Sequence, residues 1–186
     1  MTIDQFPKIF TNAQKVRQFM ESFNQSRDEN IFDESANNLN LLALRMSLVT
    51  EEFEELQNAV NEFVAWTTGD YLDPSVTARA EAQDAGVVTR QTARQLSFLE
   101  IIDSLADLLY VTYGFFHAFG LDADEIFEEV HNSNMSKLDM NGFPIFDNAG
   151  KVLKSDSFVP PNFNDLLTDY LEYYGIFVPH VLDPGK

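Results

Sequence analysis

The chain has 186 residues, of which 45% are hydrophobic and 13% aromatic, and this composition predicts a compact domain with a core, not a disordered chain. The formal net charge is −18, from 30 acidic and 12 basic residues, so binding to a nucleic acid polymer or to an anionic membrane is disfavoured. Because the sequence contains no cysteine, disulfides, thiolate zinc sites and cysteine nucleophiles are excluded.

Apolar residues recur at helical spacing along most of the chain and predict four helices in succession. The first covers residues 11–25. The second starts near residue 35 or 38 and runs to about residue 66. The third covers about residues 92–119, and the fourth covers residues 122–135, with an aspartate in the position of an N-cap.

Three segments interrupt or follow this helical series. Residues 67–94 begin with a predicted break and then favour either short helices or a mobile excursion. Residues 139–154 contain two glycine turns and predict a small hairpin or an ordered loop. Residues 162–174 predict a last short helix.

These elements predict an all-α fold, a helical bundle with two long central helices and a short irregular or hairpin C-terminal segment. We expect a single domain over residues 1–186, with a core of about 10–138 and a loop and tail at 139–186. The most apolar run, residues 105–119, is too short to span a bilayer and is typical of the middle of a bundle or of a subunit interface. Since the first residues lack the pattern of a signal peptide, we expect a cytoplasmic protein, or one in the host cytoplasm if the source is viral.

Acidic residues are concentrated at one turn of the second predicted helix. Glu51, Glu52 and Glu55 form an EExxE pattern, and Glu52 and Glu55 share a helical face because they are three residues apart. Apolar neighbours such as Phe53 place this turn against a core. The pattern is common on solvated helices, so by itself it does not establish a site.

A second acidic group lies in the third predicted helix, where Glu100, Asp103 and Asp107 are spaced three and four residues apart on one face. The rest of that helix is strongly apolar, and no Lys or Arg occurs between residues 95 and 134. We therefore expect these acids to be at least partly buried and to need a cation from solution. Two helices that each offer a pair of carboxylates favour Mg²⁺, with Mn²⁺ as an alternative. A dimetal helical oxidase is disfavoured, because neither helix carries the Glu-x-x-His motif of that class.

These motifs resemble those of a known family. EExxE followed by ExxD is similar to the signature of the MazG-like all-α NTP pyrophosphohydrolases, which are related to dimeric dUTPases and phosphoribosyl-ATP pyrophosphohydrolases. The resemblance extends to residues 16–23, 44–56, 100–114, 131–139 and 150–154. One feature departs from it, since Glu55 and Glu100 lie 45 positions apart, a longer gap than is usual. Residues 67–94 therefore resemble an insertion between the two metal-binding helices.

The resemblance implies a MazG-like helical bundle with a Mg²⁺ site on its two long central helices. Four carboxylates would bind the ion: Glu52, Glu55, Glu100 and Asp103. Asp107 would support them or bind a further ion, and Glu51 would orient or deprotonate the attacking water. Attack at the α-phosphorus of a (deoxy)nucleoside triphosphate would release a nucleoside monophosphate and pyrophosphate, for nucleotide-pool sanitation or precursor supply. The resemblance also implies a homodimer or a dimer of dimers.

Few basic residues are available to contact the phosphates of such a substrate. Asn134 and Lys137 lie at the end of the fourth predicted helix, and Lys151 and Lys154 follow in the glycine-containing loop, so we expect these four to bind substrate. Helix capping by Lys137 and plain solvation of the other two lysines are the alternatives. Two other functions stay open: the same fold acting on a narrower substrate, dUTP or phosphoribosyl-ATP, and a non-catalytic acidic helical interaction protein.

Overall fold

A computed structural model describes residues 10–69, 86 and 89–176 of the chain. The regular secondary structure of these residues is helical apart from one isolated β-bridge, and the all-α prediction is confirmed. The described helices are α1 (Asn12–Ser22), α2 (Ala36–Thr68), α3 (Arg90–Ala118), α4 (Ala123–Met135) and α5 (Asn164–Tyr173). The chain divides into two compact units, one ending at Leu121 and one beginning at Asp122. The single-domain assignment stays a prediction. No helix in the described ranges is long and apolar enough to cross a membrane.

Helix α1 begins at a reciprocal cap. Thr11 Oγ1 accepts a hydrogen bond from the Gln14 backbone N–H at 3.2 Å, and Gln14 Oε1 accepts one from the Thr11 N–H at 3.0 Å. The helix ends at Ser22, three residues earlier than the sequence predicts. Its buried Val16 and Met20 pack with the end of α3 in the core of the first unit.

Helices α2 and α3 form a long antiparallel hairpin. Arg90, at the start of α3, donates from Nε to the Trp66 carbonyl at 2.7 Å and from Nη2 to the Thr67 carbonyl at 2.6 Å, which satisfies the end of α2. Near the opposite end of the hairpin, Gly114 of α3 packs closely against Arg45 of α2. A Cβ added at Gly114 would lie 3.3 Å from Arg45 Nη1. The helices extend into both ends of the predicted insertion 67–94, so the bounds of that prediction are wrong. Its central residues, 70–85 and 87–88, lie outside the described part of the chain.

Small side chains occupy the seam between α2 and α3. The buried residues of α3 that face α2 include Ala93, Ser97 and Ser104, and α2 contributes Ala59. Such residues let two helices approach closely. Trp66 fills the end of the seam beside Arg90 and is fully buried.

The second unit starts with the predicted cap of α4, where the Asp122 carboxylate accepts hydrogen bonds from the N–H groups of Asp124 and Glu125 at 2.9 and 3.1 Å. Serine hydroxyls join the end of this helix to the following loop. Ser133 Oγ donates to the Val159 carbonyl at 2.9 Å, and Ser136 Oγ accepts from the Val159 N–H at 2.8 Å.

The predicted hairpin at residues 139–154 consists of two similar turns and one antiparallel bridge, between Phe146 and Val152. In each turn an aspartate accepts hydrogen bonds from the N–H groups two and four residues later, and the residue between these two is a glycine with positive φ. The turns are Asp139–Gly142 and Asp147–Gly150. Hydrogen bonds from the Phe143 and Asn141 N–H groups hold the pKa of Asp139 below its ordinary value.

Candidate metal centre

The acidic turn of α2 lies about halfway along the helix. Glu52 is half-buried there, whereas Glu51 and Glu55 are exposed. The heptad series of α2 explains the difference, because Glu52 lies seven residues from the buried Arg45 and seven from the buried Ala59, on the face that meets α3.

The acids of α3 are less buried than the sequence predicts. Glu100 is half-buried, but Asp103 and Asp107 are exposed, so the predicted burial is wrong for these two in the single chain. The reason is that the apolar residues beside them are uncovered: Leu99 retains 59% of its accessible surface and Ile102 retains 49%. An apolar sequence around an acid therefore did not bury the acid.

The structure nevertheless brings acids of both helices together around Glu52. The pKa of Glu52 is raised, first because partial burial disfavours its charged form and then because four neighbouring carboxylates repel it. Two of these neighbours, Glu55 and Glu51, are on α2, and the other two, Asp107 and Asp103, are on α3. The fold thus concentrates negative charge from both motifs in one region of the hairpin.

Next to this region the hairpin forms an acidic cleft with a cavity volume of about 290 Å³. We call it the α2–α3 cleft, and it is lined by Glu55, Asn58, Ala59, Glu62, Glu100, Asp103 and Ser104. Three of the four predicted metal ligands therefore line one cavity, and the fourth, Glu52, repels two of them electrostatically.

The donor set fits a hard divalent ion by its chemistry, since it consists of carboxylate oxygens. Among the described residues, no Lys or Arg forms an ion pair with Glu52, Glu55 or Asp103, so no basic side chain of that part of the chain neutralises their charge. As the side chains lie, no three Asp, Glu or His residues of the described ranges are already arranged around one ion position. Binding would require the carboxylates of α2 and α3 to turn towards one another.

The four predicted substrate-binding residues belong to the second unit. Lys137 Nζ donates a hydrogen bond to Asn134 Oδ1 at 2.6 Å, so these two act as one polar group at the end of α4. Lys154 Nζ lies 4.3 Å from the centre of the Phe158 ring and lines a separate cavity of about 250 Å³. Lys151 is exposed, and its backbone N–H donates a hydrogen bond to Asp147 Oδ1 at 2.9 Å.

Sequence reasoning did not identify two polar residues of the α2–α3 seam. Glu62, which lines the cleft, is buried, and its Oε2 accepts a hydrogen bond from the buried Ser97 at 2.9 Å. A signal was present in the spacing, because Glu62 follows Glu55 by seven residues and Ser97 precedes Glu100 by three. Each residue therefore lies on the same helical face as a predicted metal ligand.

A family model described as phosphoribosyl-ATP pyrophosphohydrolase matches residues 13–134, a range that contains both acidic motifs and most of the helical core. The chain belongs to this family. The resemblance to the MazG-like all-α NTP pyrophosphohydrolases is thereby confirmed, and with it the fold class.

Two individual proteins are similar to this chain. An uncharacterized protein of Acanthamoeba polyphaga mimivirus is 28% identical over 149 residues, which cover 78% of this chain but only 43% of that protein. A solved structure from Exiguobacterium sp. 255-15, named as a candidate NTP pyrophosphohydrolase, is 22% identical and covers 90% of this chain and 98% of its own, with a TM-score of 0.35. That score is too low to carry an argument about shared geometry.

Proposed function

We propose that this protein is a Mg²⁺- or Mn²⁺-dependent nucleoside triphosphate pyrophosphohydrolase whose metal centre is the carboxylate group of α2 and α3. The observation that carries the proposal is the convergence of two acidic motifs on Glu52 across the hairpin, where four other carboxylates raise its pKa. Such an arrangement is unfavourable unless a cation neutralises it. Membership in a pyrophosphohydrolase family supports the same conclusion.

In this proposal Glu52, Glu55, Glu100 and Asp103 hold the ion, and Asp107 supports them. A bound divalent ion would neutralise phosphate charge and lower the pKa of a coordinated water. Glu51 is exposed on the same turn of α2 and would accept the proton of the attacking water. The oxygen of that water forms a bond to the α-phosphorus, the bond from that phosphorus to the bridging oxygen breaks, and the products are a nucleoside monophosphate and pyrophosphate.

Incubation of the purified protein with each NTP and dNTP, with dUTP and with phosphoribosyl-ATP, in the presence of Mg²⁺ or Mn²⁺, tests the proposal. Chromatography of the products should show the monophosphate and pyrophosphate. Formation of a diphosphate and inorganic phosphate would contradict the site of attack. If no member of the panel is hydrolysed and no divalent ion raises the melting temperature, the non-catalytic interaction protein becomes the better explanation.

Matched variants assign the activity to the carboxylates. Asp103→Asn should abolish turnover, whereas Glu54→Gln should retain it, since Glu54 is an exposed acid of the same α2 turn and is not among the carboxylates that raise the pKa of Glu52. Substrate contact by the second unit stays a prediction. Its test is Lys137→Gln, which should raise KM more than it lowers kcat if Lys137 binds the phosphates.

We also propose that two copies of the chain associate through the exposed apolar side of the α2–α3 hairpin. On α2, four half-exposed residues recur every seven positions, and on α3 four others alternate at spacings of four and three, as in a helical interface. We call these the apolar strips: Leu39, Met46, Phe53 and Val60 on α2, and Phe98, Ile102, Leu105 and Leu109 on α3. Together they expose on the order of 700 Å², close to one side of a standard protein interface.

Light scattering with size-exclusion chromatography tests this association. The wild type should elute as a dimer or a dimer of dimers, and Leu109→Glu should dissociate it by at least one step. The matched control is Leu99→Glu, because Leu99 is exposed to the same extent, 59% against 60%, but lies outside the strips. A wild type that is monomeric at micromolar concentration would contradict the proposal.

A further inference from the structure

A hydrogen bond between two buried side chains crosses the seam between α2 and α3. Ser97 is fully buried, and Glu62 retains only 8% of its accessible surface. The Ser97 hydroxyl lies 2.9 Å from Glu62 Oε2 and 3.1 Å from the Ala93 carbonyl oxygen. These two residues are 35 positions apart in the sequence, so the contact fixes one helix against the other and not a local turn.

This contact lies close to the predicted metal ligands on both helices. Glu62 follows Glu55 by seven residues, or roughly 10 Å along α2, and Ser97 precedes Glu100 by three residues, or roughly 4.5 Å along α3. Glu62, Glu55 and Glu100 line the same α2–α3 cleft. A change in the relative axial position of the helices at Glu62 and Ser97 would therefore be transmitted directly to the acidic pairs.

The hydrogen bonds of Arg90 cross the seam at its far end, whereas small side chains occupy the part beside the predicted ligands. Ala59 and Ala93 are small and apolar, and apolar packing tolerates a shift of one helix along another better than a hydrogen bond does. Burial of a carboxylate is unfavourable compared with an apolar residue of similar size, so stability alone does not account for Glu62. Single buried polar residues are known to fix the register of paired helices.

We propose that Glu62 and Ser97 are positioning residues whose hydrogen bond fixes the axial register of α2 against α3, and thereby holds the carboxylates of the two helices at the separation that one divalent ion requires. The inference rests on the metal centre proposed above. It does not depend on which nucleotide is the substrate, because the ion is bound by the protein itself.

Titration of the full chain with Mn²⁺ in the absence of nucleotide, followed by electron paramagnetic resonance of the free ion, tests the inference. Ser97→Ala removes the hydroxyl and should weaken Mn²⁺ binding by at least 10-fold, which is the usual effect of losing a group that orients metal ligands. Glu62→Gln keeps a side-chain oxygen that can accept from Ser97 and should weaken it by less than 3-fold. Val16→Ala creates a cavity in the core beside α1 and controls for general destabilisation, so it should leave Mn²⁺ affinity unchanged.

Two outcomes would overturn the positioning role. If Ser97→Ala lowers the melting temperature but leaves the Mn²⁺ dissociation constant unchanged, the hydrogen bond is merely structural. If Glu62→Gln weakens Mn²⁺ binding as much as Ser97→Ala does, Glu62 acts on the ion through its negative charge and not by fixing the register of the two helices. A wild type that binds no Mn²⁺ refutes both the metal centre and this inference, whereas a wild type that binds Mn²⁺ but hydrolyses no nucleotide refutes only the proposed function.

Discussion

Replacement of Glu52 by glutamine should stabilise the protein without metal and remove most of the stabilisation that Mn²⁺ confers. Partial burial and four neighbouring carboxylates raise the pKa of Glu52, which means that its charged form is disfavoured in the folded state. Like-charge neighbours on a helix surface each cost about 0.2–0.5 kcal/mol. Relief of several such repulsions should raise the free energy of unfolding by about 1 kcal/mol, or the melting temperature by about 2–4 °C for a chain of this size.

The pH dependence of this difference has a definite sign. Between the unfolded pKa of Glu52 and its raised folded pKa, the folded wild type holds more protons than the unfolded chain, so its stability falls as pH rises through this window. Below the window Glu52 is protonated in both the folded and the unfolded state, so the wild type and Glu52→Gln should have similar melting temperatures. Above it the full difference should be present. Differential scanning fluorimetry across this range, with metal removed by a chelator, measures the effect.

Addition of Mn²⁺ should reverse the order of stability, so that the wild type becomes more stable than Glu52→Gln. At a concentration 100 times its dissociation constant, a ligand stabilises the folded state by about 2.7 kcal/mol, and the variant lacks one of the four carboxylates expected to bind it. Glu54→Gln is the control, since it removes the same charge from the same turn outside the Glu52 group. The reasoning is refuted if Glu52→Gln is less stable than the wild type without metal at neutral pH, or if Mn²⁺ stabilises both equally.

Three further substitutions probe contacts elsewhere in the first unit. Arg90→Ala should lower the free energy of unfolding in urea by about 2–3 kcal/mol, because two charge-assisted hydrogen bonds to the end of α2 are lost; a loss below 1 kcal/mol would contradict this. Gly114→Ala should lower it by about 1 kcal/mol, since overpacking against Arg45 exceeds the gain in helix propensity; a more stable variant would show that Arg45 moves freely. Asp28→Asn should lower the free energy of unfolding by about 0.5–1 kcal/mol near neutral pH, because Arg17 lowers the pKa of Asp28 through two hydrogen bonds. This loss should disappear as pH falls through that lowered pKa. A loss that does not depend on pH would exclude the ion pair as its cause.

The helices were predictable because their boundaries depend on local chemistry. Thr11, Ser35 and Asp122 are N-cap residues whose side chains bond to N–H groups two or three positions later, and such caps are visible in a sequence. The start of α3 was placed two residues late. A local signal marks the true start, because Thr89 is the N-cap of α3 and its Oγ1 accepts a hydrogen bond from the Thr92 N–H at 3.1 Å. The bonds from Arg90 to α2 carbonyls 24 and 23 positions earlier, by contrast, are visible only in the folded hairpin.

The site was predictable only in part, for a similar reason. Motif spacing identified Glu52 and Asp103 as members of one group, and the structure brings them within electrostatic reach. The exposure of Asp103 was not predictable, because the sequence shows that a helix is apolar but not whether another element covers it. The bond between Glu62 and Ser97 joins two helices across 35 positions, so only the folded hairpin shows it.

The α2–α3 hairpin keeps its apolar strips and its acids on different sides. With roughly 100° per residue, each residue of the α2 strip follows one of the α3-facing side by one position, so this strip is rotated by about 100° from the seam. The strip of α3 is rotated by about 120° from Ser97 and Ser104, and in an antiparallel pair these two rotations lead towards the same side. Glu55 and Asp103 are rotated the other way, towards the side that carries the cleft. The proposed association and the proposed metal binding would use different sides of the same two helices, so the seam that contains Glu62 and Ser97 is the structure through which one could influence the other. Loss of the proposed dimer should therefore change Mn²⁺ affinity only if it also alters the register of that seam.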